Sequence, residues 1–201
     1  MTNNPTMTDY FSIPPMVLVV QALDFAAHKH TDQRRKGERA EPYVNHLAEV
    51  ARLLAEATDG ADPALVAAGL LHDTIEDTLT TRDEIAALFG EEIATVVVEV
   101  TDDKSLTVSE RKQAQILNAP KKSTRGKMVK LADKTSNLRS MVSSPPYGWP
   151  LSRQLAYFEW AAAVVAGCRG VNDRLEKAFD DAYQTGLAAL QKSTIFSMTD
   201  I

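Results

Sequence analysis

Residues 70–77 read Leu70-Leu71-His72-Asp73-Thr74-Ile75-Glu76-Asp77, an apolar run that turns abruptly into imidazole and acid. His72 and Glu76 lie four residues apart, as do Asp73 and Asp77. On a helix that spacing stacks each pair on neighbouring turns and gathers all four side chains within about 140° of arc. Leu70, Leu71 and Ile75 supply the apolar side that buries such a helix. Charges this close to an apolar run resist desolvation and repel one another unless something neutralises them. A divalent cation does so, and it accounts for a histidine placed directly before an aspartate.

The segments around this stretch carry helical signals. Upstream, Asp62-Pro63 is a helix start, with Asp as cap and Pro in the first turn. The helix it opens is expected to run through Leu65, Ala68 and Leu71 into the His-Asp segment. Downstream, Thr81-Arg82-Asp83-Glu84 has the capping-box pattern ahead of Ile85, Leu88 and Phe89, and Gly90 is the stop. Val17–His30 is helical by its apolar period; the basic, glycine-containing stretch Asp32–Glu41 breaks that period and reads as a loop. Pro42–Ala57 resumes it through Val50, Leu53 and Leu54. Ile93–Val100 holds four valines, a composition that suits a strand, but its helical surroundings favour a helix. Lys127–Val142, Ser152–Ala166 and Asn172–Leu190 complete the pattern, with a break at Ser143–Pro150. Strand alternation is almost absent, so the expected fold is all-α. Residues 1–13 read as a flexible N-terminal tail and 14–195 as one domain.

Composition narrows the classes. Of the 201 residues, 44% are hydrophobic and 24% charged, the balance of a globular chain with a real core. A formal charge of −5 argues against a dedicated nucleic-acid binder, which is usually basic. The single cysteine, Cys168, excludes an internal disulfide framework, fits a reducing compartment and reads as a buried small side chain. Met16–Val20 is too short for a signal peptide and nothing approaches a membrane span, so the cytoplasm is the expected location.

Two distant positions complete a metal site. His46 lies at the start of the second helix, and Asp133 on a later helix that carries Asn137 four residues on. Two imidazoles and two carboxylates leave open positions on a six-coordinate ion and suit Mn²⁺ better than a closed zinc site. The open positions serve water and a phosphate oxygen. Each member alone has a plainer reading: a structural histidine at a helix start, an Asp133 paired with Lys130 or Lys134, a solvated Glu76-Asp77 face. Their joint occurrence carries the argument. Arg34-Arg35-Lys36 precede His46 closely enough for a loop to hold them over the metal, where a phosphate-rich substrate wants cations. The basic stretch Lys121, Lys122, Arg125 and Lys127 reads as solvated, and His28 and His30 as helix-end residues without chemistry.

The chain resembles the hydrolase domain of the RelA/SpoT proteins, within the HD phosphohydrolase superfamily. The resemblance rests on Arg34-Arg35-Lys36, Pro42-Tyr43-Val44-Asn45-His46, Leu70 to Thr78, Glu99-Val100-Thr101-Asp102-Asp103-Lys104, Leu131 to Arg139 and Tyr157-Phe158-Glu159-Trp160-Ala161. It covers roughly residues 16–190 and implies a single HD-type helical bundle. The long members' synthetase and regulatory domains have no room, so the chain is similar to the stand-alone small alarmone hydrolases, such as the metazoan SpoT homologues.

That resemblance implies removal of the 3′-pyrophosphate from ppGpp or pppGpp, giving GDP or GTP and pyrophosphate, with Mn²⁺. It implies that His46, His72, Asp73 and Asp133 hold the metal, while Glu76 and Asp77 orient and deprotonate water. Arg35 and Lys36 are expected at the base, Asn137 and Tyr157 at the ribose or its phosphate, and Arg153 facing the phosphates. The chain departs from the family where relatives carry Pro-Lys after the Thr-Asp-Asp-Lys segment: Thr107-Val108 stands there, with Lys104 or Lys112 as substitutes. It also has Leu47 after His46, where proline is usual. Two alternatives stand beside this reading: a hydrolase of (p)ppApp or NADPH, and a nucleotide- or protein-binding module that keeps the fold without turnover. Intact Glu76 and Asp77 speak against the second.

Overall fold

The structure is a computed structural model that describes residues 13–199, with side chains as far as residue 192. All but the last residue of the expected tail over 1–13 lies outside the described residues. The rest is helical: α1 Pro15–Lys29, α2 Val44–Ala57, α3 Pro63–Leu71, α4 Thr74–Asp77, α5 Arg82–Phe89, α6 Glu91–Val100, α7 Val108–Asn118, α8 Thr124–Ser143, α9 Leu151–Ala166 and α10 Asp173–Thr199. Among the described residues the β-type pairings are two isolated bridges, Arg34 to Pro42 and Gly37 to Pro146. The first closes the 30–43 loop on itself, and the second ties that loop to the segment that follows α8.

At the centre is α3. Asp62 caps it by accepting from the Leu65 amide, and Pro63 opens it, as the sequence indicates. Every residue from Leu65 to Leu71 is buried, because α1, α2, α6 and α8 surround it. Each leucine buried there contributes roughly 1.5–3 kcal/mol relative to exposure. Gly69 is required by this closeness, since a methyl group on it would run into the Leu54 side chain of α2. The second long support is α8, which packs against α2, α6, α9 and α10.

The valine-rich stretch is indeed helix α6. Its buried residues Ile93, Val96, Val97 and Val100 follow the helical interval, while Thr95 and Val98 face outward. Gly90, at φ 93°, separates α5 from α6 in a backbone region that disfavours side chains. At Thr81 only one direction of the expected box forms: Thr81 accepts from the Glu84 amide, while the Glu84 carboxylate goes to Lys29. The complete capping box is at Thr107 and Glu110, where it opens α7.

Two expectations are corrected. The helix through residues 70–77 is interrupted: α3 ends at Leu71, and Asp73 sits at φ −100°, ψ −3° before the single turn of α4. Local side chains take the carbonyls that a continuous helix would use. His72 Nδ1 bonds Gly69 O at 2.8 Å, and Thr74 Oγ1 donates to Leu71 O at 2.6 Å. The 121–127 stretch is also less solvated than expected. Arg125 forks onto both Asp62 oxygens and pairs with Glu92, fastening α8 to the start of α3 and to α6, and Lys122, just before α8, donates to Glu99 O of α6.

Candidate metal centre

Four side chains from three parts of the chain meet at one buried corner. His46 comes from the first turn of α2, His72 and Asp73 from the break between α3 and α4, and Asp133 from the middle of α8. His46 Nε2 lies 3.8 Å from Asp73 Oδ2 and 3.4 Å from Asp133 Oδ1. His72 Nε2 lies 3.0 Å and 3.9 Å from the same two oxygens. Both imidazoles are buried to within 3% of full exclusion.

The far side of each ring fixes which nitrogen faces the corner. Ser136 Oγ donates to the Glu49 carboxylate at 2.7 Å, so its lone pair takes a proton from His46 Nδ1 at 2.8 Å. His72 Nδ1 likewise donates to Gly69 O. Both Nε2 atoms are therefore aimed inward, and His72 Nε2 is buried, with Asp73 Oδ2 at 3.0 Å but outside hydrogen-bonding geometry. An orphaned imidazole nitrogen among carboxylate oxygens is what a cation site presents. Ligand atoms around an ion bonded at about 2.1 Å stand roughly 3 Å apart in neighbouring octahedral positions, close to the separations here. The donor set fits a divalent metal, with second partners of the kind that orient metal-binding histidines.

Charge in the corner is tightly balanced. Burial alone raises the Asp73 carboxyl, but the neighbouring His72 and His46 outweigh it and hold the group below the usual range. Asp133 is also held low against burial, chiefly by the Lys134 ammonium 3.0 Å away and the two imidazoles. Burial pulls His72 down, yet Asp73 and Asp133 carry it above its ordinary value; at His46 burial wins and the value falls. Tyr43 donates to Asp73 Oδ2 at 2.6 Å, and Asn137 to Asp133 Oδ1 at 2.6 Å.

Tyr43 and Asn137 also line the adjoining cavity of about 340 Å³, a volume in the range of small-molecule sites. Glu76 and Asp77 form its acidic side. Glu76 Oε2 accepts from the Asp102 amide at 2.9 Å, and its carboxyl is raised, mainly by burial and then by the charges of Asp102 and Asp73. Asp77 is gripped by Lys104 at 2.7 Å and Gln33 at 2.9 Å. Arg34, Arg35 and Lys36 also line it, with Arg35 bonded to Asn137 Oδ1 at 3.0 Å.

Among the expected substrate contacts, Arg35, Lys36, Asn137 and Tyr157 line this cavity. Arg153 lies a layer behind, its guanidinium 4.1 Å over the ring of Trp149, which does line it. Of the two substitute lysines only Lys104 lines the cavity. Lys112 places its ammonium over Trp160 at 5.1 Å, and Val108 is 63% exposed. Leu47 is buried in the core. Sequence reasoning missed Arg111 and Trp149, which line the pocket, and Ser136 and Glu49, which support the corner; the expected pairing of Asp133 with Lys134 does form, inside the corner and not at the surface. Ser136 and Lys134 sit beside Asp133 on α8, but nothing local says which of its neighbours turn inward.

The fold and the buried two-histidine, two-aspartate corner are those of an HD-domain protein, and the profile of the HD domain family matches residues 22–155. Mouse guanosine-3′,5′-bis(diphosphate) 3′-pyrophosphohydrolase MESH1 is 48% identical over 83% of this chain and 93% of its own length. The Drosophila melanogaster MESH1 is 44% identical over 86% and 97%. Among solved structures, a metazoan orthologue of SpoT that hydrolyzes ppGpp and plays a role in starvation responses superposes with TM-score 0.81. It is 42% identical over 87% of this chain and 98% of that one. The chain belongs to the MESH1 family of HD-domain proteins. Among the described residues no helix is long and apolar enough to cross a membrane.

Proposed function

We propose that this chain is a Mn²⁺-dependent (p)ppGpp 3′-pyrophosphohydrolase, releasing pyrophosphate from the ribose 3′-oxygen and leaving GDP or GTP. The observation that carries the proposal is the meeting of His46, His72, Asp73 and Asp133 beside the raised carboxyl of Glu76, in a chain 48% identical to a named enzyme of that activity. His46, His72, Asp73 and Asp133 would hold the ion. A divalent cation bound there polarises water and phosphate oxygens and lowers the water's pKa towards neutrality.

The chain's own groups do the rest. Glu76 takes the proton of the attacking water, a task suited to a carboxylate whose pKa burial has raised. Asp77 orients that water. The water oxygen joins phosphorus, the bond from phosphorus to the 3′-oxygen breaks, and the ribose oxygen leaves with the proton that Glu76 took from the water, which restores the carboxylate. Arg35, Lys36 and Lys104 offset phosphate charge or hold the base at the cavity rim, and Asn137 and Tyr157 meet the ribose. Arg153 steers phosphate from behind Trp149. A soluble nucleotide substrate and an unpaired, buried Cys168 suit a cytoplasmic setting without nucleic acid.

The test is a product-resolved assay of ppGpp, pppGpp, ppApp and NADPH with Mn²⁺, using wild type and Glu76→Gln. Wild type is expected to release pyrophosphate from ppGpp and pppGpp, and Glu76→Gln is not. Nucleotide binding without turnover by the Mn²⁺-loaded wild type would replace the enzyme with a binding module.

A further inference from the structure

His30 closes α1, yet it is only 3% exposed and no role above uses it. Its Nδ1 stands 2.5 Å from Gln33 Oε1, and Gln33 Nε2 donates to Asp77 Oδ2 at 2.9 Å. The direction of this chain follows from its last member. An ionised carboxylate only accepts, so Gln33 turns its NH₂ to Asp77 and its carbonyl oxygen to His30. His30 must then donate from Nδ1, which leaves Nε2 bare. That nitrogen is buried without a hydrogen-bond partner, which suits a lone pair better than an N–H.

The Gln33 backbone and the His30 ring are both held in place. The Gln33 amide donates to His30 O at 3.0 Å, and its carbonyl accepts from the Tyr43 amide at 3.1 Å. The His30 ring stacks on Tyr43 with centroids 5.2 Å apart and planes at 25°. The same Tyr43 grips Asp73 through its hydroxyl. Asp77's other anchor is of a different kind: Lys104 is half exposed on a flexible stem, and an incoming phosphate competes for it.

We propose that His30 and Gln33 are positioning residues, a donor relay that keeps the Asp77 carboxylate in place when Lys104 turns to substrate phosphate. The proposal rests on the reading of Asp77 as a water-orienting acid.

Two readouts test it on the whole chain. In the metal-free protein, nitrogen NMR of the histidine side chains is expected to show His30 protonated on Nδ1, with a slowly exchanging proton. That resonance should shift in Asp77→Asn and disappear in Gln33→Leu. A His30 carrying its proton on Nε2 would overturn the relay whatever the activity. In the ppGpp assay with Mn²⁺, His30→Phe keeps a ring against Tyr43 but removes the donor. Its kcat should fall roughly 10- to 100-fold, the loss typical of removing an outer-shell partner, with KM and Mn²⁺ content unmoved. His30→Asn offers an amide N–H where Nδ1–H lies and should restore most of kcat. Unchanged kcat in His30→Phe, or equal losses in both variants, also sinks the proposal. If wild type releases no pyrophosphate, the hydrolase reading fails, and the NMR readout still decides the relay.

Discussion

Asp73 and Glu76 stand three residues apart on one short stretch, and their surroundings push them in opposite directions. Asp73 faces two imidazoles and a tyrosine hydroxyl contributed by α2 and the end of α3, and its carboxyl is held down. Glu76 faces a backbone amide from the loop after α6 and other acids, and its carboxyl is pushed up. One carboxylate is built to remain an anion, the other to take a proton. Neighbours brought in by tertiary contacts, and not the residue type, separate the two.

Neutralising Asp73 should have the largest effect. Asp73→Asn should lose both metal and turnover, checked by elemental analysis of the purified protein beside the ppGpp assay. Retention of stoichiometric Mn²⁺ would remove Asp73 from the ligand set.

Glu76→Gln should keep the metal while turnover falls by roughly 10² to 10⁴. It should also change stability with a definite sign. Folding raises this carboxyl above its ordinary 4.5, so the folded chain binds more protons than the unfolded chain between the two values. Wild-type stability therefore declines as pH rises through that window. The metal-free Gln variant should show a higher urea midpoint than wild type at neutral pH, and the gap should close as pH falls through that window, being gone below 4.5.

Lys134→Met acts on the second buried anion of the corner, Asp133. Lys134 is buried against Asp133 and lies 4.4 Å from the centre of the Trp160 ring. Burial lowers an ammonium, but the Asp133 carboxylate that accepts its hydrogen bond carries this one above the lysine range. Removing it leaves a buried carboxylate short of a partner, a loss of about 3–5 kcal/mol in the metal-free protein by urea unfolding. Added Mn²⁺ should recover part of it by binding the folded state alone. The smallest effect belongs to the cavity rim. Arg35→Ala should raise KM for ppGpp about tenfold, the equivalent of one charge-assisted hydrogen bond, and leave kcat and metal content alone.

Much of this was legible in advance because its signals are local. Asp62-Pro63, Thr81 and Gly90 mark helix ends through the hydrogen bonds of their own neighbours, and the structure puts those ends where the signals lie. The helical interval of Ile93, Val96, Val97 and Val100 outweighed valine's strand preference because one face had a core to meet. The break at residues 72–73 was not legible, since it depends on which carbonyls His72 and Thr74 capture. Helix α7 carried a readable signal in Thr107-x-x-Glu110 that went unused. His30 and Arg125 look like surface residues in the sequence, and only their partners across the fold, Gln33 and Tyr43 or Asp62 and Glu92, show otherwise.

By itself the sequence determined the helical class and the identities of the histidines and acids, because periodicity, caps and donor chemistry are properties of short stretches. Only the tertiary structure decided that His46, His72, Asp73 and Asp133 share one corner, and that Asp73 and Glu76 titrate apart. Distance and desolvation are set by segments up to 87 residues apart along the chain, from His46 to Asp133, and those separations close only when α2 and α8 pack around α3.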